Sequence, residues 1–109
     1  MPPSAILRGT LDLLILQALS LGELHGLGIA HRIEQVTKGA FAPGPGSLFP
    51  ALHRLERAGL LESEFGKSET RRDAKYYTLT KKGRSRLKVE SDEWRRIVAA
   101  MALALENAR

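Results

Sequence analysis

The chain has 109 residues, the length of one domain with one core. Hydrophobic residues make up 43% of it and charged residues 27%, which excludes wholesale disorder, and no apolar stretch approaches the ~20 residues of a membrane span. The chain has no cysteine, which excludes disulfides and thiolate chemistry, and its first residues lack the pattern of a signal peptide. We therefore expect a cytoplasmic protein.

Most of the positive charge lies in one segment. The chain carries 17 Lys and Arg against 12 Asp and Glu, a net charge of +5. Residues 67–88 alone contain nine basic and two acidic side chains, a balance of +7, so the remainder has a balance of −2. Such a segment is typical either of a surface that binds a polyanion or of a solvated basic face without a partner.

The first predicted element is a helix. Residues 1–4 are expected to form a loose tail, and Thr10 fits a helix N-cap, with Asp12 in the first turn where a carboxylate suits the helix dipole. Eight of the twelve residues from 10 to 21 are apolar, which is too many for a helix with one side in water. We expect this helix to contact both its own core and a second subunit.

Two further helices are predicted, separated by a loop. Gly26 and Gly28 mark a turn before a helix over residues 27–37, and residues 38–46, with three glycines and two prolines, are predicted as a loop. A third helix is predicted over residues 47–58, and Gly59 ends it. Its apolar side chains share one face: Leu48, Leu52 and Leu55.

After the third helix the pattern changes to strands. Residues 60–65 and 76–80 are predicted as two strands, joined by an extended polar loop over residues 66–75. A last helix over residues 80–107 has a predicted length of roughly 40 Å, longer than so small a domain is wide. Its apolar stripe comprises Leu87, Trp94, Ile97, Val98, Met101 and Leu105. Because the part from residue 97 to 105 is apolar nearly all round, a second copy of the chain is its simplest cover.

This order of elements is typical of a winged helix-turn-helix domain. The fold class is mostly α with a small two-stranded β-wing and a long C-terminal helix. We assign residues 1–80 to a DNA-binding domain and residues 81–109 to a dimerisation helix within the same compact unit. The third helix would lie in the major groove. The side chains that it would turn toward DNA are Ser47, Phe49, Pro50, His53, Arg54 and Arg57.

The arginines and the wing have different predicted contacts. Arg54 and Arg57 are three residues apart, so both can project toward DNA and either read a base edge or hold a phosphate. The wing should contact phosphates only, because long basic side chains on a loop supply charge without fixed geometry. Its cations are Lys67, Arg71, Arg72 and Lys75.

Three segments also carry a family resemblance. The pair His25-Gly26, the run from residue 46 to 61 (GSLFPALHRLERAGLL) and the run from residue 75 to 84 (KYYTLTKKGR) closely resemble the PadR family of winged-helix transcriptional regulators. The resemblance implies a homodimer that represses transcription at a palindromic operator, with the last helix packed against the partner's first helix. The single C-terminal helix is similar to the short subgroup of the family.

The sequence departs from the family pattern at three places. Phe49 stands where tyrosine is usual, Leu27 replaces an aromatic residue, and residues 44–46 (Gly-Pro-Gly) are unusually flexible. The expected dimer interface comprises Leu13, Leu16, Trp94, Ile97, Val98, Met101 and Leu105. Because some relatives bind flat aromatic compounds near a tryptophan on this helix, a small aromatic effector near Trp94 is a second candidate role for that side chain beside interface packing.

Several residues have two readings. One of Tyr76 and Tyr77 should point into the core and the other outward, since neighbouring strand residues alternate. Phe49 could contact a thymine methyl or a sugar, or belong to the core. The three histidines lack zinc-motif spacing, so no metal and no other cofactor is expected. The glutamates near residue 62 come with no nucleophile or phosphate-binding loop, and we expect no enzyme.

Other functions remain as alternatives to a repressor of duplex DNA. A winged-helix module could instead dock a different protein through its apolar last helix. RNA binding fits the charge but lacks the interleaved exposed aromatics that stack on single-stranded bases.

Overall fold

A computed structural model of the chain describes the backbone of residues 3–67 and 73–107, and the side chains of residues 9–66 and 74–107. The elements in chain order are α1 (Pro3–Ala18), a 3-10 turn (Leu19–Leu21), β1 (Leu24–His25), α2 (Gly26–Val36), α3 (Pro45–Arg57), β2 (Leu61–Lys67), β3 (Asp73–Leu79) and α4 (Lys81–Asn107). The predicted fold class is confirmed: the chain is mostly α, with a small antiparallel sheet and a long C-terminal helix.

Helix α1 starts earlier than the sequence predicts. It begins at Pro3, so the prediction of a loose tail through residue 4 and of an N-cap at Thr10 is wrong. Proline is well tolerated in a first helical turn, and residues 4–8 contain no helix breaker. Asp12 therefore lies well inside the helix, where its carboxylate has a different role from that of a first-turn acid.

The sheet has a third strand that the sequence analysis did not predict. The strand order is β1-β3-β2, and β1 pairs with β3 through Leu24 opposite Tyr77 and His25 opposite Tyr76. A strand of two residues is too short to show an alternating pattern, which is why the sequence does not reveal it. Gly26 and Gly28, predicted in a turn, lie in the first turn of α2. The His25 Nδ1 atom caps that helix by accepting a hydrogen bond from the Gly28 amide at 3.2 Å.

The hairpin strands are longer than predicted. The register runs from Leu61 opposite Leu79 to Lys67 opposite Asp73, so both ends of the predicted 66–75 loop belong to strands. Helix α3 likewise starts inside the predicted 38–46 loop, with Gly44 as N-cap and Pro45 in its first turn. Proline fixes φ near the helical value and the amide that it lacks would have no partner there, so it favours a helix start.

The core lies between α1, α2, α3 and the sheet. Its largest fully buried side chains are Ile15, Leu16, Leu19, Ile29, Ile33, Leu52 and Leu61. Leu16, predicted at the dimer interface, has only 2% of its surface exposed in a single chain. That prediction is wrong, because the leucine fills the core of its own chain and has no surface left for a partner.

The start of α4 is fixed closely against the end of α3. The Thr80 hydroxyl donates to the Gly59 carbonyl at 2.7 Å and accepts from the Gly83 amide at 2.9 Å. The Lys82 ammonium donates to the Ala58 carbonyl at 3.0 Å, where a cation suits the end of a helix. From this anchor α4 extends along a molecule of 56 × 27 × 25 Å, so its distal half has little of its own chain to cover it. None of the described helices is both long and apolar enough to cross a membrane.

Candidate nucleic-acid interface

Helix α3 presents two different faces. Leu48, Ala51, Leu52 and Leu55 are buried and hold the helix to the core, as the leucine spacing predicts. Five of the six side chains predicted to face DNA are exposed: Ser47, Phe49, Pro50, His53 and Arg57. Among the residues that the structure describes, Arg57 forms no ion pair. The outer face of α3 therefore carries an unneutralised cation and two smaller hydrogen-bonding side chains.

Arg54, the sixth of these residues, differs from Arg57. Its Nη2 atom donates to the Asp12 Oδ1 atom of α1 at 2.6 Å, and its side chain keeps 39% of its surface. This is a charge-assisted hydrogen bond between the last turn of α3 and α1. Arg54 therefore stabilises the seating of α3 on the core, and a contact between Arg54 and DNA stays a prediction.

Phe49 combines both of the predicted alternatives. Its ring lies over Gly26, where an added Cβ atom would come within 2.8 Å of the Phe49 Cε1 atom, yet 44% of the residue is exposed. The close approach explains why a glycine starts α2. One edge of the ring thus packs against the fold and the rest remains available at the surface of α3.

The end of α3 is joined to the hairpin through Glu56. The Glu56 Oε2 atom accepts from the Ser63 hydroxyl of β2 at 2.5 Å, and Oε1 accepts from the Lys75 ammonium of β3 at 3.5 Å. The Ser63 hydrogen bond, followed by the nearby charges of Lys75 and His53, holds the pKa of Glu56 below its ordinary value of 4.5 against the opposing effect of partial burial. This role of Glu56 is not predicted from the sequence.

The depressed pKa of Glu56 predicts a loss of stability in acid. The ionised form is stabilised in the folded chain, so its contribution is fully present above pH 4.5 and is lost as the pH falls through the lower, folded-state pKa. We expect the free energy of unfolding of Glu56→Gln, measured by urea titration between about pH 6 and about pH 3, to depend less on pH than that of the native chain. If both proteins lost the same free energy of unfolding as the pH falls, Glu56 would not be the source of this pH dependence.

Of the four predicted wing cations, the structure describes the side chain of one, Lys75. Arg71 and Arg72 lie outside the described residues, and so does the side chain of Lys67. Lys75 is described, and besides the Glu56 contact its Nζ atom lies 5.8 Å from the centre of the Tyr77 ring. Lys75 thus has two partners within its own chain.

The two tyrosines of β3 alternate as predicted. Tyr77 is 2% exposed in the core, and burial raises the pKa of its phenol. Tyr76 lies on the other face and stacks on His25, with ring centres 5.4 Å apart.

Phe65 is a surface aromatic that the sequence analysis did not single out. It is 75% exposed, and the alternation of β2 puts it on the face of Leu61 and Ser63, toward α3. A large apolar side chain in this position has no cover from the described part of its own chain. It is a further candidate for contact with whatever α3 and the hairpin bind.

A second surface lies between α1 and α4. An open groove of about 500 Å³ is lined mainly by apolar side chains that include Leu13, Leu14, Phe41, Trp94 and Ile97. Farther along α4, the stripe stays uncovered: Val98 is 49% exposed, Met101 54% and Leu105 68%. This is the surface that the sequence predicts to be covered by a second chain.

Comparison with known proteins identifies the family. Residues 15–89 match the model of the transcriptional regulator PadR-like family, which covers more than half of the chain. The chain belongs to the PadR family. The resemblance inferred from the sequence is therefore confirmed, and the chain is a transcriptional regulator with the winged helix-turn-helix fold of that family.

Solved structures of PadR-like proteins share this architecture over most of the chain. A transcriptional regulator from Clostridium thermocellum is 28% identical with a TM-score of 0.80, and the match covers 94% of this chain and 96% of that one. A PadR family transcription regulator from Clostridium difficile is 30% identical with a TM-score of 0.75, covering 87% and 97% of the two chains.

Among sequence relatives, the transcriptional regulator YqjI of Escherichia coli is 37% identical over 65 residues, which are 57% of this chain but only 31% of YqjI.

Proposed function

We propose that this PadR-family chain binds duplex DNA as a homodimer and represses transcription at a palindromic operator. The observation that carries the proposal is the division of α3 into a buried leucine face and an outer face of Ser47, His53 and Arg57. A helix held in this way can enter a major groove and present side chains to base edges. Such a regulator would act in the cytoplasm.

The hairpin supports the same reading. Because Ser63 and Lys75 both contact Glu56, the middle of the hairpin lies beside the last turn of α3. A duplex that meets the outer face of α3 would therefore also pass close to the hairpin. We propose that Lys67, Arg71 and Arg72, which the sequence places in this region, contact the neighbouring phosphates and add binding energy without sequence preference.

The α1–α4 surface supports a dimer. Trp94, Ile97, Val98, Met101 and Leu105 keep 43–68% of their surface in one chain, and together with Leu13 they form one apolar band. Bands of this kind are normally covered in solution. We propose that residues 81–109 form the dimerisation part and residues 1–80 the DNA-binding part. An aromatic effector beside Trp94 stays a prediction, which the room in the groove permits.

Selection of bound duplexes from a random pool tests the proposed function directly. A dimer with two equivalent α3 helices should enrich an inverted repeat whose half-sites are ~34–36 Å apart, one turn of the double helix. Absence of enrichment, together with no duplex binding at low salt, would contradict the proposal. Size-exclusion chromatography with light scattering separates this proposal from the alternative function. A monomer would favour a module that docks another protein through α4.

Arg57 offers a sharper test of the orientation of α3. We expect Arg57→Ala to weaken binding to the enriched duplex by ~1–3 kcal/mol and to relax the preference at one position in each half-site. Arg95→Ala is the control, because this exposed arginine lies on α4 and pairs with Asp92 at 3.1 Å. Equal weakening on all duplexes would assign Arg57 to a phosphate instead, and no change on any duplex would contradict the docking of α3.

A further inference from the structure

Glu56 contacts both strands of the hairpin at once. Its two carboxylate oxygens have separate partners, Oε2 with the Ser63 hydroxyl at 2.5 Å and Oε1 with the Lys75 ammonium at 3.5 Å. The side chains of Glu56 and Lys75 are 30% and 36% exposed, so water screens their attraction only in part. A single side chain at the end of α3 thus relates the helix to β2 and to β3.

The charge of Glu56 is unfavourable for a surface whose only task is to attract DNA. A carboxylate near the phosphates repels them, and this one also neutralises Lys75, a cation that could otherwise release a counterion from the duplex. Glutamine could keep the hydrogen bond from Ser63 without the negative charge. Glutamate therefore adds two things that glutamine lacks: the ion pair with Lys75 and the charge that strengthens the hydrogen bond from Ser63.

The other contacts between α3 and the hairpin lie mainly near the open end of the hairpin. The last turn of α3 ends in Arg57, and chain reversal follows at Gly59, which has a φ of +79°. Leu61 is buried, whereas Glu62, Glu64 and Phe65 farther along β2 are exposed. Tyr77 and Leu79 of β3 are buried in the same core as the leucines of α3, and farther toward the hairpin tip the polar contacts of Glu56 join both strands to the helix.

We propose that Glu56 is a positioning residue that fixes the hairpin at one angle to α3, and that Lys75 acts through Glu56 and not on a phosphate. The inference rests on the proposed DNA binding. Its physical basis is pre-organisation: a hairpin already held beside α3 loses little conformational freedom when both elements meet the duplex. The position of the hairpin relative to α3, and with it the spacing of their DNA contacts, is then fixed before binding.

Glu56→Gln separates positioning from simple electrostatics. Loss of one negative charge should by itself tighten binding to every duplex, whereas loss of positioning should weaken binding to the selected duplex in particular. We expect the ratio of affinities for the selected over an unrelated duplex to fall about 10-fold. Glu62→Gln is the matched control, because Glu62 is exposed on the same strand and removal of its charge leaves the α3 contact intact. Its ratio should equal that of the native chain.

The pair is tested by adding Lys75→Met and the double variant. If the two side chains act as one unit, the double variant should lose no more of the affinity ratio than either single variant. Losses that add on a logarithmic scale would overturn the proposal, and so would an unchanged ratio in Glu56→Gln. All ratios are compared at a temperature where circular dichroism shows each variant fully folded. If Glu56→Gln does not fold, Lys75→Met alone carries the test.

Hydrogen exchange provides a readout that needs no DNA. In Glu56→Gln the backbone amides of β2 and β3 should exchange faster while those of α4 stay as protected as in the native chain. Unchanged hairpin exchange would overturn the positioning role even if no duplex binds. Conversely, failure of the native chain to prefer any duplex, with hairpin exchange responding as expected, would contradict the proposed function and leave the role of Glu56 in place.

Discussion

Gly83→Ala is expected to lower the free energy of unfolding by roughly 2–4 kcal/mol, the sum of typical overpacking and hydrogen-bond losses. A Cβ atom built on Gly83 would lie 2.1 Å from the Leu60 carbonyl oxygen and 3.2 Å from the Leu79 Cδ2 atom. The carbonyl oxygen cannot move freely, because it accepts a hydrogen bond from the Thr80 amide at 3.1 Å. Relief of the clash must therefore displace the start of α4 from the end of α3.

The measurement is urea denaturation at fixed protein concentration, since dimerisation makes apparent stability depend on concentration. Thermal unfolding should show a midpoint lower by about 10 °C. Gly46→Ala is the matched control, because no heavy atom lies within 4 Å of its built Cβ and its position in α3 is helical. Alanine there should stabilise the helix by up to ~1 kcal/mol. Equal stability of Gly83→Ala and the native chain would contradict a close contact between Gly83 and the Leu60 carbonyl.

Met101→Glu is expected to separate the proposed dimer into monomers. Met101 is 54% exposed on the apolar stripe of α4 and does not line the groove against α1. The fold of the single chain should therefore tolerate the change. In a dimer the new carboxylate would be buried without a partner, which costs several kcal/mol. We expect dimer dissociation to become at least ~100-fold easier, measured by light scattering over a dilution series.

Leu103→Glu provides the control for this change. Leu103 is 61% exposed, but helical geometry turns it to the opposite side of α4 from Trp94 and Leu105. It should remain a dimer. Met101→Glu should also lose operator affinity, because two linked half-site contacts typically bind 10²–10⁴-fold more tightly than one. If both variants remained dimers, the interface would lie elsewhere on the chain. If both became monomers, the interface would include both sides of α4.

Much of the architecture could be predicted because it depends on local pattern. Leu48, Leu52 and Leu55 recur at helical spacing, and the structure buries all three. The same reasoning predicted α4 almost to the residue, from Lys81 to Asn107. The ends of elements are harder to predict: Pro3 and Pro45 start helices where the sequence predicts a tail and a loop. A proline there signals a break or a beginning equally well.

The candidate site was predicted less completely, because the partners of charged side chains are distant in sequence. Arg54 and Arg57 look equivalent at a spacing of three residues, yet among the side chains that the structure describes Arg54 has a carboxylate opposite it, 42 residues away, and Arg57 has none. The sequence predicts Lys75 as a wing cation, and its contact with Glu56 joins residues that are 19 positions apart. No periodicity encodes such pairs.

The sequence by itself determined the helices, the hairpin, the basic segment and the family, since each of these is written in neighbouring residues. The tertiary structure alone decided which side of each element meets which neighbour. It placed Leu16 in the core of its own chain, added β1 to the sheet and gave Glu56 contact with both hairpin strands. The physical reason is that burial and ion pairing depend on distances in space, which arise only after the chain has folded and the leucine faces have come together.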